Sequence, residues 1–179
     1  MRAILLPLLL LFVLPAVVLP AVAGTPAIGD APPALLGKDN DGKDVRLEAH
    51  RGKVVVVTFW ASWCGYCLKE LPALDALQAQ AGDQLFKVIA VNVEDGPAQY
   101  RAMMRQMRDF TLLLARDRSG DIAASYGVKG YPDLWIIDPQ GKVAAHHRGY
   151  GEDSLEEVIT EIKQALTREL QRQQATTGG

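Results

Sequence analysis

The chain has two cysteines, two residues apart in Trp63-Cys64-Gly65-Tyr66-Cys67. On one helical turn, thiols at this spacing come within bonding reach of each other after small adjustment. The chemistry they offer is reversible disulfide formation and exchange with other disulfides. A Cys64–Cys67 disulfide closes too small a loop to constrain the unfolded chain much, so the pair reads as a working bond and not a staple. Its flanks say how it is held. Val54-Val55-Val56-Val57-Thr58-Phe59-Trp60 is an apolar run that reads as a buried strand, and Leu68 to Gln80 reads as a helix. A helix N-terminus supplies unpaired N–H groups and a positive dipole end, which favour thiolate over thiol at the first sulfur.

Further elements must hold that strand and helix. Asp39-Asn40-Asp41-Gly42-Lys43 is a turn signal, with Val45-Arg46-Leu47 a short strand after it. The first core strand covers 53–60, and Pro72 inside the following helix predicts a kink. Phe86 to Val93 is a second apolar strand. Pro97 suits a helix start, and Ala98 to Arg108 carry a helical pattern in which Met103, Met104 and Met107 fill core gaps. Leu112 to Ala115 is a short strand, and Asp121 to Tyr126 a short helix ended by Gly127. Leu134–Asp138 and Lys142–Arg148 form a hairpin around Pro139-Gln140-Gly141. The last helix is expected from Ser154, with Glu157 completing a capping box, and residues 171–179 as a flexible tail. This order describes an α/β protein of the thioredoxin fold, with an N-terminal β extension and a central βα insertion.

The ends and the composition bound the setting. Arg2 is followed by an uncharged apolar stretch from Ala3 to Val22, and Ala21-Val22-Ala23 fits a small-x-small cleavage pattern. Residues 1–23 are therefore expected to be a signal peptide, with an uncleaved membrane anchor as the alternative. Residues 24–33 read as an extended leader and 34–170 as one domain. Export places the dithiol in an oxidising, periplasm-like compartment. The 179 residues carry a net charge of −2, or −3 without the segment holding Arg2, which argues against a nucleic-acid partner.

The motifs resemble the TlpA/ResA-like thiol-disulfide oxidoreductases, exported thioredoxin-like proteins that include cytochrome c maturation reductases. The resemblance is carried by Arg51-Gly52-Lys53-Val54-Val55-Val56, Phe59-Trp60-Ala61-Ser62-Trp63-Cys64, Cys67-Leu68-Lys69-Glu70-Leu71-Pro72, Ala90-Val91-Asn92-Val93 and Tyr126-Gly127-Val128-Lys129-Gly130-Tyr131-Pro132. Ile136 to Val143 continues it, so it covers Pro33 to Leu166. The resemblance implies that Cys64 attacks a substrate disulfide and Cys67 resolves the mixed disulfide. It makes Pro132 a cis-proline opposite the dithiol, with the Tyr131 backbone free to pair with an extended substrate. It also makes Glu70, one helical turn from Cys67, a carboxyl that holds the thiol pKa up and shuttles its proton. Trp63 and Tyr66 are expected at the rim, shielding the site and meeting substrate, while Trp60 packs in the core.

Three positions depart from the pattern. Thr58 stands where thioredoxins carry a buried aspartate, which shifts proton handling onto Glu70 or water. Gly65-Tyr66 lacks both the proline common in this stretch and the histidine that makes strong oxidants. Asp133 follows Pro132 where many relatives have threonine, and an acid there fits the cytochrome c maturation branch or a plain strand end. His146 and His147 are neighbours on a strand and point to opposite faces, so they do not form a metal pair. No metal site and no cofactor are expected. The leading reading is a reductant of protein disulfides such as those of apocytochrome c, recharged by a membrane thiol donor. The rivals are an oxidant or isomerase, a copper chaperone using both sulfurs, and a peroxide reader through Cys64.

Overall fold

The structure, a computed structural model, describes residues 24–149 and 152–177. The expected signal peptide, residues 1–23, lies outside them. A seven-stranded sheet carries the fold: β1 (Leu35–Lys38), β2 (Asp44–Arg46), β3 (Val54–Trp60), β4 (Phe86–Val93), β5 (Leu113–Asp117), β6 (Asp133–Ile137) and β7 (Val143–Arg148), in the order β2-β1-β5-β4-β3-β6-β7. Strands β3, β4 and β5 run parallel, and β6 joins β3 antiparallel. The helices are α1 (Gly65–Ala81), α2 (Pro97–Gln106), α3 (Asp121–Ser125) and α4 (Glu152–Thr177). Strands β1 and β2 are the expected N-terminal extension, and α2 with β5 the central insertion.

Every residue of β3 is buried, because the sheet is covered on both faces. The pleat splits the strand between two cores. Val54, Val56 and Trp60 pack with Leu71 and Leu74 of α1 and Val158 and Ile162 of α4. Val55, Val57 and Phe59 pack on the other side with Leu36, Tyr126 and Trp135. Strand β3 ends and β6 begins at the dithiol end of the sheet, and both are buried throughout, so the site is anchored in the core.

Several boundaries differ from expectation. Strand β1 was not anticipated: four residues interrupted by Gly37 give no periodicity, and only its pairing with β2 and β5 reveals it. Gly37 sits at φ +118°, where a Cβ would come 2.5 Å from the Arg116 carbonyl oxygen. Helix α1 starts at Gly65, three residues before Leu68, and continues through Pro72 to Ala81. Helix α4 starts at Glu152, so Ser154 lies inside it and not at its cap. It also runs to Thr177, through most of the expected tail. Arg168 to Ala175 is rich in good helix formers, and Glu169 accepts hydrogen bonds from Arg172 and Gln173 one turn on.

Candidate active site

Cys64 is the N-cap residue of α1, with extended backbone, and Cys67 lies in the first turn. The two form a disulfide, with Cα atoms 5.3 Å apart. The Cys64 sulfur accepts a hydrogen bond from the Cys67 backbone N–H at 3.1 Å. It therefore does what a serine or aspartate does at other helix starts, satisfying one of the orphan donors. A thiolate in the same place gains a stronger, charge-assisted bond and the positive end of the helix dipole. Cys64 retains a sliver of exposure, 6%, and Cys67 has none. A partner can reach only the first sulfur.

The loop that delivers Cys64 from β3 is clamped. Asp95, after β4, is nearly buried. Its carboxylate accepts from the Ser62 backbone N–H at 3.0 Å, the Ser62 hydroxyl at 2.9 Å and the Asn92 side-chain amide at 2.7 Å. Glu94, just before it, has φ +63°, an uncommon conformation for a residue with a Cβ. Sequence reasoning missed Asp95. It lies 31 positions beyond Cys64, and only the parallel pairing of β3 with β4 brings it to Ser62.

Glu70 is fully buried on the inner face of α1. The Thr58 hydroxyl donates to its Oε1 at 2.6 Å, and Oε2 has no partner among the described residues. Burial pushes its carboxyl up to about 8, against the pull of the Thr58 hydrogen bond and with a smaller push from the Asp133 charge. Near neutral pH it is mostly the protonated acid. Thr58, which sequence reasoning counted only as a lost aspartate, is thus the fixed partner of Glu70.

The Tyr131–Pro132 peptide bond is cis. Trp63, 70% exposed, meets the Tyr131 ring edge-on, with centroids 5.7 Å apart. Tyr66, 52% exposed, lies 5.9 Å from the Lys69 ammonium. The Tyr131 phenol is pushed up to about 12 by burial and by the carboxylates of Glu94, Asp117, Asp95 and Asp133. Trp60 is buried in the core. The dithiol therefore opens onto an aromatic rim made by Trp63, Tyr66 and Tyr131, with leucine at position 68 also exposed.

Asp133 is a buried hub at the start of β6. Its Oδ1 accepts from the Trp135 indole at 2.6 Å and lies 2.8 Å from His146 Nε2. Burial raises its carboxyl against the pull of His146, and burial lowers the His146 imidazole. His146 stacks on Trp135 across the β6–β7 ladder at 3.5 Å, while His147 faces the other way, to Glu161 of α4. Among the described residues, no group of three or more His, Cys, Asp or Glu side chains could hold a metal ion.

A dithiol at the start of α1, a covered α/β sheet and a cis-proline beside it define a thiol-disulfide oxidoreductase of the thioredoxin fold. The chain belongs to the AhpC/TSA family, whose model matches residues 28–146. It is 30% identical over 136 residues to the thiol-disulfide oxidoreductase ResA of Bacillus thuringiensis, covering 75% of this chain and 78% of the relative. It is 36% identical over 124 residues to the thioredoxin-like protein YneN of Bacillus subtilis, covering 68% and 71%. Among solved structures, a Chlorobium tepidum chain assigned as the thiol:disulfide interchange protein DsbE superposes with a TM-score of 0.68 at 33% identity, covering 79% of this chain and 99% of that one.

Proposed function

We propose that this protein is an exported reductant of protein disulfides, working through Cys64, Cys67 and Glu70. The observation that carries it is the division of labour between the sulfurs: one with a sliver of exposure, capping the helix, and one fully buried, one helical turn from a buried acid. In the substrate half-reaction the Cys64 thiolate attacks a substrate sulfur, forming a mixed disulfide and expelling the other substrate sulfur as a thiolate. Cys67 then passes its proton to Glu70, which the preceding recharging step has left as the carboxylate, and attacks the Cys64 sulfur. The mixed disulfide breaks, the second substrate thiolate leaves, and the Cys64–Cys67 bond forms. The substrate disulfide gains two electrons and the dithiol loses them. Recharging is the reverse: a donor thiolate attacks Cys64, and the Cys67 sulfur departs and takes the Glu70 proton.

Trp63, Tyr66 and Tyr131 are proposed to meet the substrate, with Pro132 shaping the backbone beside it. The remaining assignments come from the sequence and the resemblance. They are residues 1–23 as a signal peptide or retained anchor, 24–33 as a leader, 34–170 as the working domain, a membrane thiol donor, a periplasmic site of action and apocytochrome c as a fitting substrate.

Trapping tests the reading. With Cys67→Ser, expressed in a native-like exporting host, Cys64 should retain protein partners in mixed disulfides that release on reduction. The reduction potential should fall toward the reducing end of the range of about −270 to −120 mV. A reactive Cys64 that traps no protein refutes the substrate assignment, and a potential at the oxidising end refutes the direction and supports an oxidant.

A further inference from the structure

A cleft of about 720 Å³ lies between β1 with the β1–β2 turn, the Tyr100–Arg105 stretch of α2 and the segment leaving β5. Its wall at Arg116, Asp117 and Arg118, where β5 ends, lies at the same end of the sheet as Cys64. Strands β3, β4 and β5 are parallel, so their C-terminal ends share one edge, and Lys38 at the end of β1 pairs with Arg116 on β5. Tyr100, Met104 and Ile122 give it an apolar surface, and Lys38, Arg101, Arg105, Arg116 and Arg118 bring five cations.

Three carboxylates line it too, and all are committed. Asp44 pairs with Lys38 at 2.7 Å. Asp39 accepts the backbone N–H groups of Asp41 and Lys43, and Asp117 those of Gly120 and Ala123. Arg116 is engaged as well, stacked 4.5 Å from the Tyr100 ring and donating to the Asp95 carbonyl at 2.7 Å. Arg101, Arg105 and Arg118 are exposed and form no ion pair among the described residues. In a chain of net charge −2, three uncommitted guanidiniums thus surround one apolar cleft. Guanidinium forks suit carboxylates, which they bind with two parallel hydrogen bonds.

The cleft is also held in fixed relation to the dithiol. Its Arg116 bonds Asp95, Asp95 bonds Ser62, and Ser62 is two residues from Cys64. In strand spacings of about 4.8 Å, β5 and β1 lie roughly 10 and 14 Å from β3. That sideways separation alone takes roughly three to four residues of extended polypeptide at about 3.4 Å each, which sets the shortest reach.

We propose that this cleft docks an acidic, partly apolar segment of the polypeptide whose disulfide Cys64 exchanges, with carboxylates at least three to four residues from the attacked cysteine. It rests on the reading of the substrate as a protein disulfide, and it narrows that class to substrates with acidic flanks.

The test compares disulfide-linked peptide dimers with two glutamates at those positions against dimers with glutamines there. Hydroxyethyl disulfide serves as a small neutral control. The reduced wild-type protein should reduce the glutamate dimer about tenfold faster in kcat/KM, as expected for two or three screened ion pairs acting together. Salt near 1 M, where the Debye length is about 3 Å, should remove the preference. Arg101→Glu with Arg105→Glu should abolish it and leave hydroxyethyl disulfide unaffected. Arg118→Glu, on the opposite wall, should do the same independently. Equal rates for the two dimers with wild-type protein overturn the proposal, as does a preference that survives both variants. Protection of the cleft by free glutarate without any peptide preference also overturns it, leaving a site for small anions. Reaction with hydroxyethyl disulfide but with no peptide or protein disulfide removes the parent reading, and this surface with it.

Discussion

Replacing Glu70 with glutamine should flatten part of the protein's dependence of stability on pH. The carboxyl is fully buried and its folded-state value is pushed up to about 8 from an ordinary 4.5. Between those values the unfolded chain gives up its proton while the folded chain keeps it. The folded state then binds more protons, so stability falls as pH rises. Below 4.5 both states are protonated and the penalty is absent. At about 1.4 kcal/mol per pH unit, the cost reaches about 3 kcal/mol at pH 7 and about 5 kcal/mol above pH 8. Glutamine keeps the shape and cannot ionise. Its amide gains no partner where Oε2 has none, but that cost does not change with pH, so the slope is the measurement. Urea unfolding of the oxidised wild type and Glu70→Gln at pH 5, 7 and 9 should give a wild-type-minus-variant difference that falls by about 2–3 kcal/mol between pH 5 and 7. Parallel curves would refute the raised carboxyl and, with it, Glu70 as a proton holder for Cys67.

Asp95→Ala should remove the acceptor for Ser62 and Asn92, costing about 1–3 kcal/mol in urea unfolding and slowing exchange at Cys64 more than the stability loss explains. Gly37→Ala should destabilise by more than about 1 kcal/mol, because φ +118° and the 2.5 Å approach to Arg116 oppose any Cβ. An unchanged melting curve would show that β1 does not lie against β5. Asp133→Ala should strand the Trp135 indole N–H in a buried site, costing about 1–3 kcal/mol and changing tryptophan fluorescence. A variant with native stability and spectrum would argue that the β6–β7 hub carries no weight.

The dithiol, its strand and its helix were legible in the sequence because both signals are local. A four-valine run needs burial on both faces, and a sulfur at a helix start needs nothing beyond the first turn. What was not legible depends on pairing across the sheet. Asp95 reaches Ser62 only through the β3–β4 register, and Asp133 meets His146 only through the β6–β7 hairpin. Strand β1 has four residues and one glycine, so its identity lies in its neighbours. The cap of α4 was misplaced because a capping-box spacing at Ser154 also occurs inside a helix that begins two residues earlier.

Thr58 shows how a departure from a pattern can be a clue. Read alone, threonine on β3 is an acid lost from beneath the dithiol. In the fold it points to the same inner face as Glu70, a residue one turn past Cys67, and donates to it at 2.6 Å. An aspartate at 58 together with Glu70 would put two carboxyls in one sealed space, and their repulsion would drive one proton affinity far up. Threonine leaves one acid there and orients it: the hydroxyl occupies Oε1, so the acid proton sits on Oε2, the oxygen with no partner among the described residues. The two positions are therefore one device, and Thr58→Val, which keeps the shape but removes the donor, should raise the Glu70 value further. A pH profile of exchange displaced to higher pH in Thr58→Val, and absent in Glu70→Gln, would establish the coupling. Identical profiles in the wild type and Thr58→Val would break it.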